Sequence, residues 1–236
     1  MNLPFPDARI MVFAKAPVAG AVKTRLIPAL GAEGAAALHA MLVRHCIATA
    51  VAARLSPVEL WCSPDTNHPF FTQCSKDYGV TLREQQGNDL GARMAHAFDT
   101  VLQRSPCAVI IGTDCPALTS QDLRTAIDTL VAPGILPSAT LVHPCTSRDG
   151  FDAVIGPAED GGYVLLGLRK AAPLLFEDIA WGSGGVLALT RERLKRLQWR
   201  WRELAPRRDV DRPEDLEEPQ IRRLLVEAAA MHDTPL

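Results

Sequence analysis

Residues 108–116 read AVIIGTDCP. Ala108 to Gly112 is apolar throughout, without alternation, which is the pattern of a strand buried on both faces in a parallel sheet covered by helices. The run ends at Thr113-Asp114-Cys115-Pro116. Thr119 or Ser120 can then cap a helix that continues through Leu130, with Asp122 in its first turn. Asp114 therefore stands at the carboxyl end of a buried strand, where open α/β sheets place their ligands.

Upstream, strands are expected at 9–14 (RIMVFA), 58–62 (VELWC) and 80–84. Helices are expected at 31–54, at 69–78, and at 90–103, where Met94, Phe98, Val101 and Leu102 share one face. The resulting alternation of strand and helix predicts an α/β doubly wound sheet. Downstream, 132–148 is rich in Pro, Ser and Thr and reads as an irregular insertion. Strands follow at 152–156 and 163–168, a helix at 184–197 and a strand at 199–203. A last helical region is expected from 211 to about 231, broken near Pro219. No repeat or linker is visible, so one domain over 1–236 is expected.

With 25 basic and 27 acidic residues the net charge is -2, which argues against a nucleic-acid binder. The six cysteines show no C-x-x-C spacing, and free thiols in a reducing compartment are expected. The first nine residues lack the pattern of a signal peptide. The segment 35–53 is interrupted by His39, Arg44 and His45 and reads as a buried helix, not a membrane span. Together these predict a cytoplasmic protein with no membrane partner.

The loop after the first strand runs Lys15-Ala16-Pro17-Val18-Ala19-Gly20-Ala21-Val22-Lys23-Thr24-Arg25. Three cations around a permissive glycine suit a polyphosphate, Lys23 as a point charge and Arg25 as a fork. The plain alternative is a solvated basic loop. Pro17 and Val22 occupy the two glycine places of a Walker A loop, and a dinucleotide fingerprint would need three glycines. Asp114 suits Mg²⁺, which takes one or two carboxylates with phosphates and waters, although a turn cap would also account for it. Glu159-Asp160-Gly161-Gly162 reads either as a hairpin turn or as a second acidic site across the cleft. In 85–91 (QQGNDLG), Asp89 can cap the next helix, or Gly87, Asp89 and Gly91 can approach a nucleotide. Asp211 with Glu214 reads as a capping box, although a cap can also face the site. The six histidines show no ligand spacing.

Five motifs in order, FAKAPVAGAVKTRL (13–26), QGNDLGARM (86–94), IGTDCPAL (111–118), DAVIGPAEDGGYVLLGL (152–168) and DVDRPEDL (209–216), resemble a bacterial GT-A-type family. That family is described as a glycosyltransferase-like domain of unknown function and as a radical-SAM/selenodomain-associated transferase. The resemblance spans nearly the whole chain and extends to the nucleotide-diphospho-sugar transferase superfamily. It implies a GT-A (Rossmann-like) three-layer sandwich with a mostly parallel sheet. It implies that Lys15, Gly20, Lys23 and Arg25 grip phosphate and that Asp114 and Asp160 hold Mg²⁺ or Mn²⁺. It further implies that Glu159 and Asp160 act in catalysis, and that Gly161, Gly162 and Trp181 line a substrate pocket. The chain departs from the family in reading Trp181-Gly182-Ser183 where Trp-Ser-Thr is common, and in the length of the 132–148 insertion. The expected partners are a nucleotide or nucleotide-sugar and a small acceptor, for glycosyl or nucleotidyl transfer. A non-catalytic nucleotide sensor on the same fold is the alternative.

Overall fold

In the computed structural model, residues 3–131, 150–218 and 221–223 are described. Seven strands form one sheet: β1 (Arg9–Lys15), β2 (Val58–Ser63), β3 (Thr81–Glu84), β4 (Ala108–Ile111), β5 (Ala153–Pro157), β6 (Tyr163–Leu168) and β7 (Trp201–Glu203). Their order is β3-β2-β1-β4-β6-β5-β7. The pairs β1·β2, β1·β4, β2·β3 and β5·β7 are parallel, whereas β6 runs antiparallel to both β4 and β5. Only β6 is reversed, so the sheet is mostly parallel, as expected.

Side-chain alternation divides the core into two layers. Ile10, Val12 and Ala14 of β1 and Val109 and Ile111 of β4 face one layer. That layer is covered by α1 (Ile27–Ala52), α2 (Pro69–Tyr78) and α4 (Ser120–Val131) through Val43, Ile47, Phe71, Leu123 and Ile127. Met11 and Phe13 of β1 and Ala108 and Ile110 of β4 face the other layer. Here α3 (Leu90–Leu102) contributes Met94, Phe98 and Val101, and α5 (Val186–Arg196) contributes Leu187 and Leu194. The result is the three-layer α/β sandwich.

Several boundaries differ from the sequence reading. The first helix begins at Ile27, with a non-helical residue at Gly31, so it absorbs part of the expected loop. With the short turn before it, this helix is long and apolar enough to cross a membrane. Here it lays Val43, Cys46, Ile47 and Ala50 on the sheet. β7 is shorter than expected and starts at Trp201. In place of a helix from 211, Pro213–Glu217 forms a 3-10 turn. The 132–149 insertion, the Pro219 break and the end of the last helix lie outside the described residues. Cys46, Cys62, Cys74, Cys107 and Cys115 are buried and free. Burial raises the thiol pKa of each, to about 12 for Cys62 and about 11 for Cys107, so none is a ready nucleophile.

Candidate active site

The carboxyl ends of β1 and β4 open into a cleft with two adjoining cavities. The larger, about 570 Å³, is lined by the first loop, by Gln85 and 88–90 and by Arg93. The smaller, about 300 Å³, extends along β6 to Trp181 and Ser183. Phe13, Arg25, Leu90, Gly112, Asp114 and Asp211 line both. Phe13 is held by stacking on Trp61 at 6.0 Å.

Lys23 organises this cleft. It is a buried lysine with a left-handed backbone (φ 47°), a conformation that costs a non-glycine residue about 1–3 kcal/mol and persists where its surroundings fix it. Its Nζ donates to Val210 O at 2.5 Å and lies 2.7 Å from Asp114 Oδ1. Val210 N–H in turn donates to Asp114 O at 2.8 Å. The Val210 side chain is buried with Leu26, Leu38 and Leu42. Because Val210 points inward, Asp209 and Asp211 on either side of it are presented to the cleft, and both line the smaller cavity. Arg25 pairs with Asp211. The first loop, the end of β4 and the 209–211 segment are thus joined by two ion pairs and two main-chain contacts.

Asp211 is not the cap expected from its spacing to Glu214. Asp215 Oδ2 accepts from both Asp211 N–H (2.9 Å) and Arg212 N–H (2.7 Å), and Arg208 pairs with Asp215 Oδ1. This leaves the Asp211 carboxylate for Arg25. Asp122 does sit in a cap: it accepts from Thr119 N–H and Oγ1–H, and is held by Arg207.

Three carboxylates share one neighbourhood. Burial first, then the negative charges of Asp160 and Asp114, push the Asp209 carboxyl up to about 6, with Lys23 opposing. A raised acid pKa means that the folded chain prefers the protonated form. Asp209 therefore lowers stability progressively as pH rises from its ordinary value near 4 to about 6, and the penalty is complete above that window. Asp209→Asn is expected to raise the melting temperature of the ligand-free protein at pH 7.5 and to leave it nearly unchanged at pH 4. Melting curves at the two values check this, and an equal gain at both would remove the electrostatic cause.

Among the described residues, no three His, Cys, Asp or Glu side chains form a ready-made metal cage. The donors nonetheless suit a hard divalent ion that keeps water and phosphate ligands. Asp114 Oδ1 is held by the Lys23 ammonium at 2.7 Å, while its half-exposed side chain lines both cavities. Asp114 would hold Mg²⁺ with Asp160 or Asp209 beside it.

The remaining expected site residues divide. Lys15 and Asp89 line the larger cavity, and Asp89 also caps α3 by accepting from Ala92 N–H at 2.8 Å. Gly162 and Trp181 line the smaller. Asp160 lines it too, and its Oδ1 accepts from Gly162 N–H at 2.9 Å. Glu159, Gly20 and Gly87 line neither of these cavities. Gly91 and Gly161 are needed for packing: a Cβ at Gly91 would lie 2.5 Å from Phe176 O and 2.7 Å from the Trp181 ring. One at Gly161 (φ 90°) would lie 2.1 Å from Gly184 O. Gly161 thereby docks the acidic turn on the 182–185 segment, and its carbonyl accepts from Leu187 N–H at 2.8 Å.

Sequence reasoning passed over Asp209, Arg93 and His39 as site residues, and read Asp211 first as a cap. Arg93 lines the larger cavity and bridges Gly87 O (Nε, 3.0 Å) and Ser63 Oγ (3.0 Å). His39 is buried there with Nε2 at 3.0 Å from Lys15 O, which assigns the proton to Nε2 and leaves Nδ1 bare and unpartnered. Burial lowers its pKa, with Asp114 opposing and Lys23 and Lys15 assisting, so it is neutral near pH 7. The alternation in Asp209-Val210-Asp211 and the Arg93 within 86–94 were the available signals.

Residues 46–183 match the model of a family described as "uncharacterized protein conserved in bacteria (DUF2064)". No curated protein matches the chain. Among solved structures, it is similar to a candidate nucleotide-diphospho-sugar transferase from Desulfovibrio desulfuricans G20, with 27% identity, 96% of each chain covered and a TM-score of 0.74. It is also similar to a CMP:2-keto-3-deoxy-manno-octonic acid synthetase complexed with CTP (13% identity, 94% of this chain and 99% of that one, TM-score 0.56). A third is the inositol-1-phosphate CTP transferase from T. maritima (12%, 96% and 97%, TM-score 0.54). The last two share the fold.

Proposed function

The chain belongs to the DUF2064 family of bacterial proteins, and from the geometry of its cleft we propose that it is a Mg²⁺-dependent transferase using an activated nucleotide, an NTP or a nucleotide-sugar. The observation that carries this reading is the meeting of Lys23 with Asp114 at 2.7 Å, at the carboxyl end of a parallel sheet, beside Arg25, Asp160 and Asp209. Cations and carboxylates converging on one cleft suit a diphosphate bridged by a divalent ion. The candidate nucleotide-diphospho-sugar transferase, which has the highest TM-score of these three structures, supports it.

In this reading the larger cavity takes the nucleotide. Lys15, Lys23, Arg25 and Arg93 neutralise its phosphates, and the 85–89 segment lies along the nucleoside. When bound to Asp114 with Asp160 or Asp209, Mg²⁺ supplies charge neutralisation at the diphosphate leaving group. The smaller cavity positions the second substrate against the reacting centre, which supplies rate by orientation. Asp160 or Asp209 can accept a proton from an attacking hydroxyl, whereas Glu159 lines neither cavity. The chain acts on small molecules in the cytoplasm, where its buried thiols stay reduced.

A thermal-shift screen of NTPs, nucleoside diphosphates and nucleotide-sugars tests the reading. With ligand at about 100 times its Kd, binding adds roughly 2.7 kcal/mol, which raises the melting temperature by about 5–10 °C for a chain of this size. The expected result is a shift for at least one base series with Mg²⁺ and a smaller one with EDTA. No shift with any nucleotide would end the proposal.

A further inference from the structure

The two cavities share a wall but differ in charge. Lys15, Lys23, Arg25 and Arg93 line the larger against Asp89, Asp114 and Asp211. In the smaller, Arg25 is the one cation among the described lining residues, and it is already paired with Asp211. Asp114, Asp160 and Asp209 complete its charged lining. Resting on the nucleotide reading above, we propose that the smaller cavity receives the group lying beyond the diphosphate and accepts it only when uncharged or cationic and hydroxyl-bearing, excluding phosphorylated and carboxylated groups.

The rest of the lining supports the same selection. Trp181 and Tyr163 meet edge to face at 6.5 Å and, with Leu90, Ile110 and Val186, give an apolar wall against which the carbon face of a ring can lie. The carboxylates accept hydrogen bonds from hydroxyl or ammonium groups. Two donors of the lining are spent elsewhere: Gly162 N–H is given to Asp160, and Tyr163 O–H points at Met94 Sδ. A divalent ion does not reverse the sign. Four aspartates against Arg25 and the Lys23 that pairs with Asp114 leave two negative charges, which the ion offsets without making the cavity positive. An anionic group would thus meet four aspartates with no unpaired cation in the described lining, the arrangement that rejects a ligand class. This excludes phosphate and carboxylate nucleophiles and leaves transfer of, or to, an uncharged or amino-bearing molecule.

The test compares three ligands that differ only beyond the diphosphate. UDP-glucose, UDP-glucosamine and UDP-glucuronate, or their counterparts on whichever base the screen selects, are titrated calorimetrically with Mg²⁺ beside the bare nucleoside diphosphate. UDP-glucose and UDP-glucosamine are expected to bind more tightly than UDP, and UDP-glucuronate at least about tenfold more weakly than UDP-glucose. Asp209→Asn is expected to narrow that gap. Equal affinity for the glucose and glucuronate esters would overturn the proposal, as would equal affinity for all three and UDP. Failure of every nucleoside diphosphate, nucleoside triphosphate and nucleotide-sugar to bind would instead sink the nucleotide reading beneath it.

Discussion

Asp114→Asn is expected to lose Mg²⁺-dependent turnover by at least about a hundredfold while the protein stays folded. The metal's share of transition-state stabilisation is several kcal/mol, and each 1.4 kcal/mol is about a factor of ten in rate. Asparagine keeps the shape of the side chain and its place beneath Val210, whose N–H bonds to the main-chain oxygen of residue 114 and not to the carboxylate. The half-exposed side chain also leaves room for relaxation, its exposure being 49%. Turnover measured with saturating Mg²⁺, beside a melting curve of the same sample, separates lost chemistry from lost structure. Wild-type activity in the folded variant would remove Asp114 from the site.

Lys23→Met carries the second large effect, and it falls on binding. The ammonium is 3% exposed, with Asp114 Oδ1 and Val210 O as partners, so it is preorganised and largely desolvated. A hydrogen bond to a charged group contributes about 1.5–3 kcal/mol, so nucleotide affinity is expected to fall by roughly ten- to a hundredfold or more. Methionine preserves the apolar stem, and the Asp114 carboxylate it leaves without a partner is 49% exposed, so water can solvate the charge that would be costly if buried. The ligand-free melting temperature should therefore move little while the shift produced by Mg²⁺-nucleotide collapses. A variant that melts much earlier yet binds nucleotide normally would make Lys23 a structural residue.

The parallel half of the sheet is legible in the sequence because strands buried on both faces are continuous apolar runs, as in β1 and β4. Asp114 is legible for the same reason, since a carboxylate following such a run has few places to go. What the sequence does not disclose is the pairing between distant segments. Asp211-x-x-Glu214 satisfies a local capping rule, yet Asp215 captures both free N–H groups and releases Asp211 to Arg25. Asp209 becomes a site residue only because Val210 is anchored in the core and inverts the direction of its neighbours. Gly91 and Gly161 read as places where a ligand approaches the backbone. Trp181 and Gly184 approach instead, and no local pattern reports a contact across so many residues. Arg93 sits inside a recognised motif, but its reach to Gly87 O and Ser63 Oγ depends on how α3 lies against β2.

The central claim is that the first loop and the three later acidic positions serve one diphosphate. A crystal structure with Mn²⁺ and the nucleoside diphosphate chosen by the screen, read by anomalous scattering, tests it most directly. The expected map has one Mn²⁺ peak against Asp114 and a diphosphate oxygen, with Lys23 and Arg25 turned onto the phosphates. A nucleotide seated away from Lys23, or a metal bound without contact to Asp114, Asp160 or Asp209, would contradict it.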